Sequence, residues 1–206
     1  MIDSNLQSTR EVLVFLMKYV SGKVLDFGSG RAKYKKIIST HANSYTAFDM
    51  FPGSNVDVVG NALDTPFSNN EFDTIISTQV LEHVAKPWLM IKEIGRILKP
   101  GGRCLLTMPF LVPYHPDPQD NSRFTTNGLI LMFKDEGFEV LECGGYGRFF
   151  TVLSEFMHFV CFDPYKKSKR GSAFVMNFFG RIAKFLDRFV KNDKIYANVF
   201  IVARKL

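Results

Sequence analysis

A three-layer α/β fold on a mostly parallel sheet is the architecture this 206-residue sequence predicts, on three observations. Val24, Leu25 and Phe27 form a short apolar run bounded by Gly22 and Gly28, the pattern of a strand buried on both faces of a parallel sheet. Glycines at 28 and 30 follow at once, where a chain that turns tightly against a ligand cannot carry a Cβ. Further apolar strand-like runs (SYTAFDM, FDTIIST, RCLLTM) then alternate with segments of helical spacing.

The N-terminal segment from about Ser8 to Tyr19 has Val12, Phe15, Leu16 and Tyr19 at helical spacing and reads as a helix. After the first strand, residues 33 to about 40 read as a short helix and SYTAFDM, 44–50, as the second strand. VDVV supplies a third strand, and Phe72, Ile75 and Ile76 a buried fourth with Ser77, Thr78 and Gln79 at its carboxyl end. Leu81 to Leu98 carries two short helical faces separated by Pro87, with LKPGG as the helix stop and Arg103 to Met108 as strand five. Four prolines between 109 and 118 rule out regular structure, so a rigid loop leaves strand five. Thr125 or Thr126 caps the next helix, FEVLECGG is strand six and NVFIVARK, 198–205, the last strand. Between them lie an apolar helix at about 149–162, a basic linker at 166–170 and a second helix at about 173–191.

The length suits a single domain over 1–206: a core of about 20–147 plus the strand 198–205, with a helical insertion at about 148–195. Cys104, Cys143 and Cys161 are spaced for neither a disulfide framework nor a zinc site, so a reducing compartment and no metal are expected. The start, MIDSNLQSTRE, has no signal-peptide pattern and no segment is long and apolar enough to span a membrane, so a cytoplasmic location is expected. The net charge of +6 is unevenly placed. Residues 1–162 carry 15 Lys/Arg against 17 Asp/Glu, and residues 163–206 carry 11 against 3. In the second inserted helix Asn177, Arg181, Lys184, Arg188 and Lys191 form a polar stripe opposite Phe178, Phe179, Ile182, Phe185, Leu186 and Phe189. That pattern fits a helix in an anionic membrane interface, a cap over a pocket, or a dimer contact. Association through 148–191 would make the protein peripheral at the membrane.

The glycine turn also opens dinucleotide-binding folds, but Asp26, two residues before Gly28, would repel a pyrophosphate and attract a cationic ligand, and Lys33 stands where a third glycine would be. Asp49, 21 residues past Gly28, is placed to accept hydrogen bonds from ribose hydroxyls. D-x-G-x-G at 26–30 followed by AFDM at 47–50 resembles the class I S-adenosylmethionine (SAM) dependent methyltransferases, and the stretch before strand four resembles their type 11 pattern. The resemblance covers about residues 20–145. It implies a Rossmann-like methyltransferase fold with sheet order 3-2-1-4-5-7-6 and an antiparallel last strand. It implies SAM as cofactor, held by Asp26, Gly28, Ser29, Gly30, Asp49, Met50, Asn61, Ala62, Ser77 and Thr78. Asn61 replaces the usual aspartate of the adenine-contacting turn, and its amide oxygen can still accept from the adenine amino group. Glu82 and His83, in L-E-H, resemble a feature that shapes the cofactor pocket.

The run H-P-x-P-x-D-x-x-R-F-T, 115–125, resembles a subgroup some of whose members modify sugars or other small acceptors. His115, Asp120 and Arg123 are the candidate catalytic residues, with Tyr114 and Asp117 beside them. His115 can serve as general base for an oxygen acceptor; alternatively it only hydrogen-bonds its loop. The expected partners are a small-molecule, sugar or lipid acceptor. Nucleic acid is not expected, since STQV rather than an N/D-P-P-Y motif follows strand four. The other readings are a dehydrogenase on the same glycine turn and a non-catalytic SAM-binding or membrane-associated regulatory module.

Overall fold

The computed structural model describes residues 6–116, 118–161, 170–189 and 194–206, and the side chains among these except those of 161 and 170–177. Asp117, Phe162, the lysines of 166–169 and Lys191 therefore lie outside the described residues, as do the side chains of Cys161, Arg170 and Asn177.

Strands β1 (Lys23–Phe27), β2 (Ser44–Asp49), β3 (Val58–Val59), β4 (Phe72–Thr78), β5 (Leu98–Pro109), β6 (Phe138–Tyr146) and β7 (Asn198–Lys205) form one sheet in the order β3-β2-β1-β4-β5-β7-β6. β1 through β5 pair in parallel, and β7 runs antiparallel to both β5 and β6. This is the expected order, with the expected odd strand.

Period-two alternation splits each strand between two cores. Leu25, Phe27, Ile75, Leu106, Val199 and Ile201 face one side, and Val24, Ile76, Leu105, Phe200 and Val202 the other. The first core is covered by α3 (Pro87–Ile97) and α4 (Thr126–Asp135), through Met90, Ile91, Ile94, Leu129 and Phe133. The second is covered by α1 (Thr9–Leu16), through Val12, Leu13 and Leu16, and by Ile38 of α2 (Lys35–Ile38). Ser8 caps α1 and Thr125 caps α4, each side-chain oxygen accepting a backbone N–H of the first turn. Pro87 fills the first turn of α3, where its missing N–H costs nothing.

Three boundaries differ from the sequence reading. LKPGG does follow the end of α3, with Leu98 as its C-cap, but its glycines lie in β5 and not in a helical turn: α3 stops at Ile97 and Leu98 is already paired with Phe72 and fully buried. Burying Leu98 outweighs continuing a helix that Pro100 would break, and Gly101 at φ +76° turns the strand. α2 is only four residues long, because Gly30 and Ala32 have left-handed φ and prolong the turn. The second inserted helix, α6 (Arg170–Asp187), starts and ends earlier than its apolar pattern implied.

The end of α6 has a tertiary cause. Asp187 is fully buried and accepts hydrogen bonds from the backbone N–H of Arg148 (3.1 Å), Phe150 (2.7 Å) and Thr151 (3.0 Å) and from the Thr151 hydroxyl (2.6 Å). One carboxylate thus caps the orphan donors opening α5 (Phe149–Cys161) and ties α6 to it. With Asp187 and Ala183 buried, the helical period turns Phe178, Ile182 and Phe189 away from the protein, where they are exposed. Arg181, Lys184 and Arg188 form the flank between, bordering with Gln7, Glu11 and Phe185 a cleft of about 250 Å³.

Candidate active site at the carboxyl ends of the strands

The turn after β1 is held by β2. Gly28 and Ser29 both donate their N–H to the Phe48 carbonyl, at 2.8 and 2.9 Å. Gly28 has φ +78°, and a Cβ there would stand 2.3 Å from a methyl of Val80, so packing and conformation both demand glycine. At Gly30, φ +53°, a Cβ would meet nothing within 4 Å, which leaves open space above the turn.

Asp49 ends β2 with both oxygens in use: Oδ2 accepts from Gly30 N–H at 2.8 Å and Oδ1 from Phe51 N–H at 3.0 Å. Two backbone donors aim the carboxylate, and its remaining lone pairs stay available to hydroxyl donors. Met50 beside it is exposed. Asp26 is buried and accepts a 2.6 Å hydrogen bond from the Tyr45 hydroxyl. Burial pushes its carboxyl up to about 6; the Tyr45 bond pulls it down and the Asp49 charge adds to the rise.

Asn61 Oδ1 accepts from Leu63 N–H at 2.9 Å, an Asx turn that spends one oxygen lone pair and leaves the amide exposed next to Ala62. At the end of β4, Ser77 is fully buried and Thr78 half-buried opposite Thr107. The hydroxyls of Ser29 and Ser77 are buried without a hydrogen-bond partner among the described residues. These residues fit a nucleoside with a charged tail. The ten cofactor positions expected from the sequence all lie on the β1 turn, the end of β2, the Asn61 turn and the end of β4, at the carboxyl edge of the sheet.

Gln79 at φ +57° redirects the chain, and its amide donates to Thr107 Oγ1 and to the Tyr146 hydroxyl, both at 3.3 Å. Tyr146 in turn meets Thr9 Oγ1 at 2.9 Å, so α1 closes over this end of the sheet. Neither Tyr45 nor Tyr146 was picked out from the sequence, since each finds its partner only through strand pairing or helix docking.

The next turn, Leu81–His83, meets the proline-rich loop. Asn121 N–H donates to Glu82 O and its side-chain amide to His83 O, both at 2.8 Å. His83 Nδ1 bonds the Gln119 carbonyl. On the loop, Arg123 grips Asp120 with both guanidinium nitrogens, and Asp120 accepts His115 N–H at 3.0 Å. Hydrogen bonds from Arg123 and from the His115 backbone hold the Asp120 carboxyl below its usual range, outweighing the opposing effect of burial, which is the largest single one. His115 Nδ1 lies 3.1 Å from the Pro113 carbonyl, and its ring stands edge-on to that of His83 with centroids 5.6 Å apart. The structure therefore brings together His115, Asp120 and Arg123 and adds Glu82 and His83 to them. Glu82 is fully buried, neither oxygen meets a hydrogen-bond partner, and burial pushes its carboxyl up to about 8. Cys104 and Cys143 offer no nucleophile: burial raises both thiols, Cys143 to about 12.

Residues 25–106 match the family model described as a methyltransferase domain. The chain is 27% identical over 161 residues to the O-methyltransferase resE of Aspergillus sclerotiorum, across 65% of this chain and 61% of that protein. It thus spans about three fifths of that relative's length. Among solved structures, the 4+2 cyclase SpnF superposes with a TM-score of 0.66 at 19% identity, covering 99% of this chain and 84% of its own. Phosphoethanolamine N-methyltransferase 2 of Haemonchus contortus, solved in complex with S-adenosyl-L-methionine, gives 0.63 at 16% identity over 96% of this chain and 53% of its own. A cyclase and an N-methyltransferase on one fold leave the reaction to be argued from the site.

Proposed function

The chain carries a class I SAM-dependent methyltransferase domain, and on that premise we propose that it transfers a methyl group from SAM to the oxygen of a small-molecule, sugar or lipid acceptor. The observation that carries the reading is Asp49, its carboxylate aimed by Gly30 and Phe51 beside open space above the glycine turn. In this reading Asp49 accepts the ribose hydroxyls, the Asn61–Ala62 turn borders the adenine, and buried Asp26 faces the cationic end of SAM. SAM supplies an electrophilic methyl on a sulfonium. The protein must align an acceptor with it, exclude water and accept a proton from a neutral hydroxyl.

The acceptor enters under the loop 110–125, and its proton is drawn off through His115, which Asp120 and Arg123 hold in place. The test is a screen of small-molecule, sugar and lipid extracts with SAM labelled in the methyl group, with SAM affinity measured by calorimetry. A labelled product of one class supports the proposal. Tight SAM binding with no labelled product from any class would favour a SAM-binding regulatory module, and no binding at millimolar SAM would end the reading.

A second reading concerns where the acceptor is met. Phe178, Phe179, Ile182 and Phe189 are exposed on the side of α6 turned from the protein, with Arg181, Lys184 and Arg188 on its flank and exposed Phe185 between. Leu153, Phe156, Met157 and Val160 of α5 are exposed as well. An apolar stripe beside a basic one suits the headgroup boundary of an anionic bilayer. Among the described residues no helix is long and apolar enough to cross a membrane, so contact through these helices would be peripheral. Co-sedimentation with anionic vesicles that salt weakens supports this reading; full recovery in the supernatant at low salt removes it.

A further inference from the structure

We propose that Glu82, His83 and His115 form a binding site for one divalent transition-metal ion at the acceptor end of the active site. One carboxylate oxygen and one nitrogen of each ring lie within 4.8 Å of one another, although the histidines are 32 residues apart in sequence. The Gln119 carbonyl can only accept, so the His83 Nδ1 that faces it carries the proton and its Nε2 keeps a lone pair; His115 Nδ1 lies 3.1 Å from the Pro113 carbonyl and 3.4 Å from Arg123 Nη2, and in the tautomer that donates to Pro113 its Nε2 keeps a lone pair as well. This is how metal-binding imidazoles are set: the distal nitrogen is tied to a backbone carbonyl, which orients the ring and fixes its tautomer.

Glu82 supplies the independent observation. It is fully buried, His83 Nε2 stands 3.6 Å from its Oε1, and neither of its oxygens has a hydrogen-bond partner. An unpartnered buried carboxyl is costly, and a cation held jointly with two imidazoles would satisfy it. The nearby Arg123 guanidinium is paired to Asp120 by both terminal nitrogens and so is partly neutralised. Two imidazoles and one carboxylate suit zinc or a neighbouring first-row ion better than magnesium or calcium, which take oxygen ligands. Three protein ligands leave a position for an acceptor oxygen, whose proton the ion would loosen. The inference thus rests on the reading of this cluster as the acceptor end, and it makes His115 act through the ion.

Protein stripped with a chelator is titrated with Zn2+ against a chromophoric competitor, and the loaded sample is read by X-ray absorption at the zinc edge. One ion per chain with two imidazole ligands is expected. Glu82→Gln and His115→Gln should each weaken it by at least about tenfold, the low end of what even an outer-shell change costs. His41→Gln, at the exposed end of the α2 region, should leave it unchanged. Absence of uptake, or uptake that both cluster variants leave unaltered, overturns the proposal. Because Glu82 is buried, SAM calorimetry on every variant reports whether the fold survives, and the partly exposed His115 keeps the test open if Glu82→Gln does not fold. Failure of zinc with SAM binding intact removes the ion alone; failure of SAM with zinc bound removes the methyl-transfer reading alone.

Discussion

Replacing Asp49 by asparagine, a near-isosteric change, should weaken SAM binding about as much as replacing it by alanine. If the carboxylate served only the ribose, asparagine would keep one acceptor and cost little. In the structure both oxygens already receive backbone N–H groups, from Gly30 at 2.8 Å and from Phe51 at 3.0 Å. Whichever way the amide turns, its NH2 faces one of those donors, so one hydrogen bond becomes a donor–donor contact and the glycine turn shifts. A lost charged hydrogen bond with its partner left unpaired costs about 1 to 3 kcal/mol, or roughly 5- to 150-fold in Kd. Calorimetry with SAM on the unmutated protein, Asp49→Asn and Asp49→Ala measures this. An asparagine variant within about twofold of the unmutated affinity would refute the reasoning, because it would show that the backbone contacts do not position the side chain.

Asp26 ties stability to pH. Its carboxyl is raised to about 6 chiefly by burial, so the folded state keeps the proton above the unfolded value near 3.9. The stability it contributes is full below about pH 4 and is lost as pH rises to about 6, and Asp26→Asn should gain on the unmutated protein across that window in urea melts. Ionised Asp26 should also make SAM bind more tightly at pH 7 than at pH 5, a difference that Asp26→Asn abolishes in calorimetry. Asp187→Ala strands three backbone donors and a hydroxyl and should cost about 2 to 4 kcal/mol, lowering Tm by roughly 4 to 16 °C with faster amide exchange at residues 148–151. A Tm shift under about 1 °C with exchange unchanged would rule that cap out. His115→Gln should abolish most turnover of the true acceptor while SAM affinity stays within about twofold; full turnover would remove His115 from the mechanism. On anionic vesicles, neutralising Arg181, Lys184 and Arg188 together should weaken binding in steps of about 1 kcal/mol per charge, and equal co-sedimentation of that variant would deny the basic flank a role.

Much of the fold was legible in the sequence, because the signals that specify it are local. A doubly apolar run ending in glycine predicts a central strand and a tight turn, and NVFIVARK predicts the last strand to the residue, its antiparallel sense being what the family resemblance implies. The acidic ends of the first two strands pointed to Asp26 and Asp49 by position along the chain alone. Sequence also read α6 as amphipathic, since the 3.6-residue period is a property of adjacent positions.

What only the tertiary structure decided is which groups meet across long separations. Tyr45 reaches Asp26 because β1 and β2 pair in parallel; Tyr146 reaches Gln79 and Thr9 because β6 and α1 converge on the same end of the sheet. The period of α6 could not say which face the protein covers, and the buried Asp187, invisible in a stripe of phenylalanines and basic residues, settled it by capping α5. The cluster of Glu82, His83 and His115 has no spacing signature, since one histidine arrives on the turn after β4 and the other on the proline-rich loop after β5. Propensity and period act over a few residues, whereas a carboxylate's partners and proton affinity depend on what burial brings beside it, and burial is a property of the whole fold.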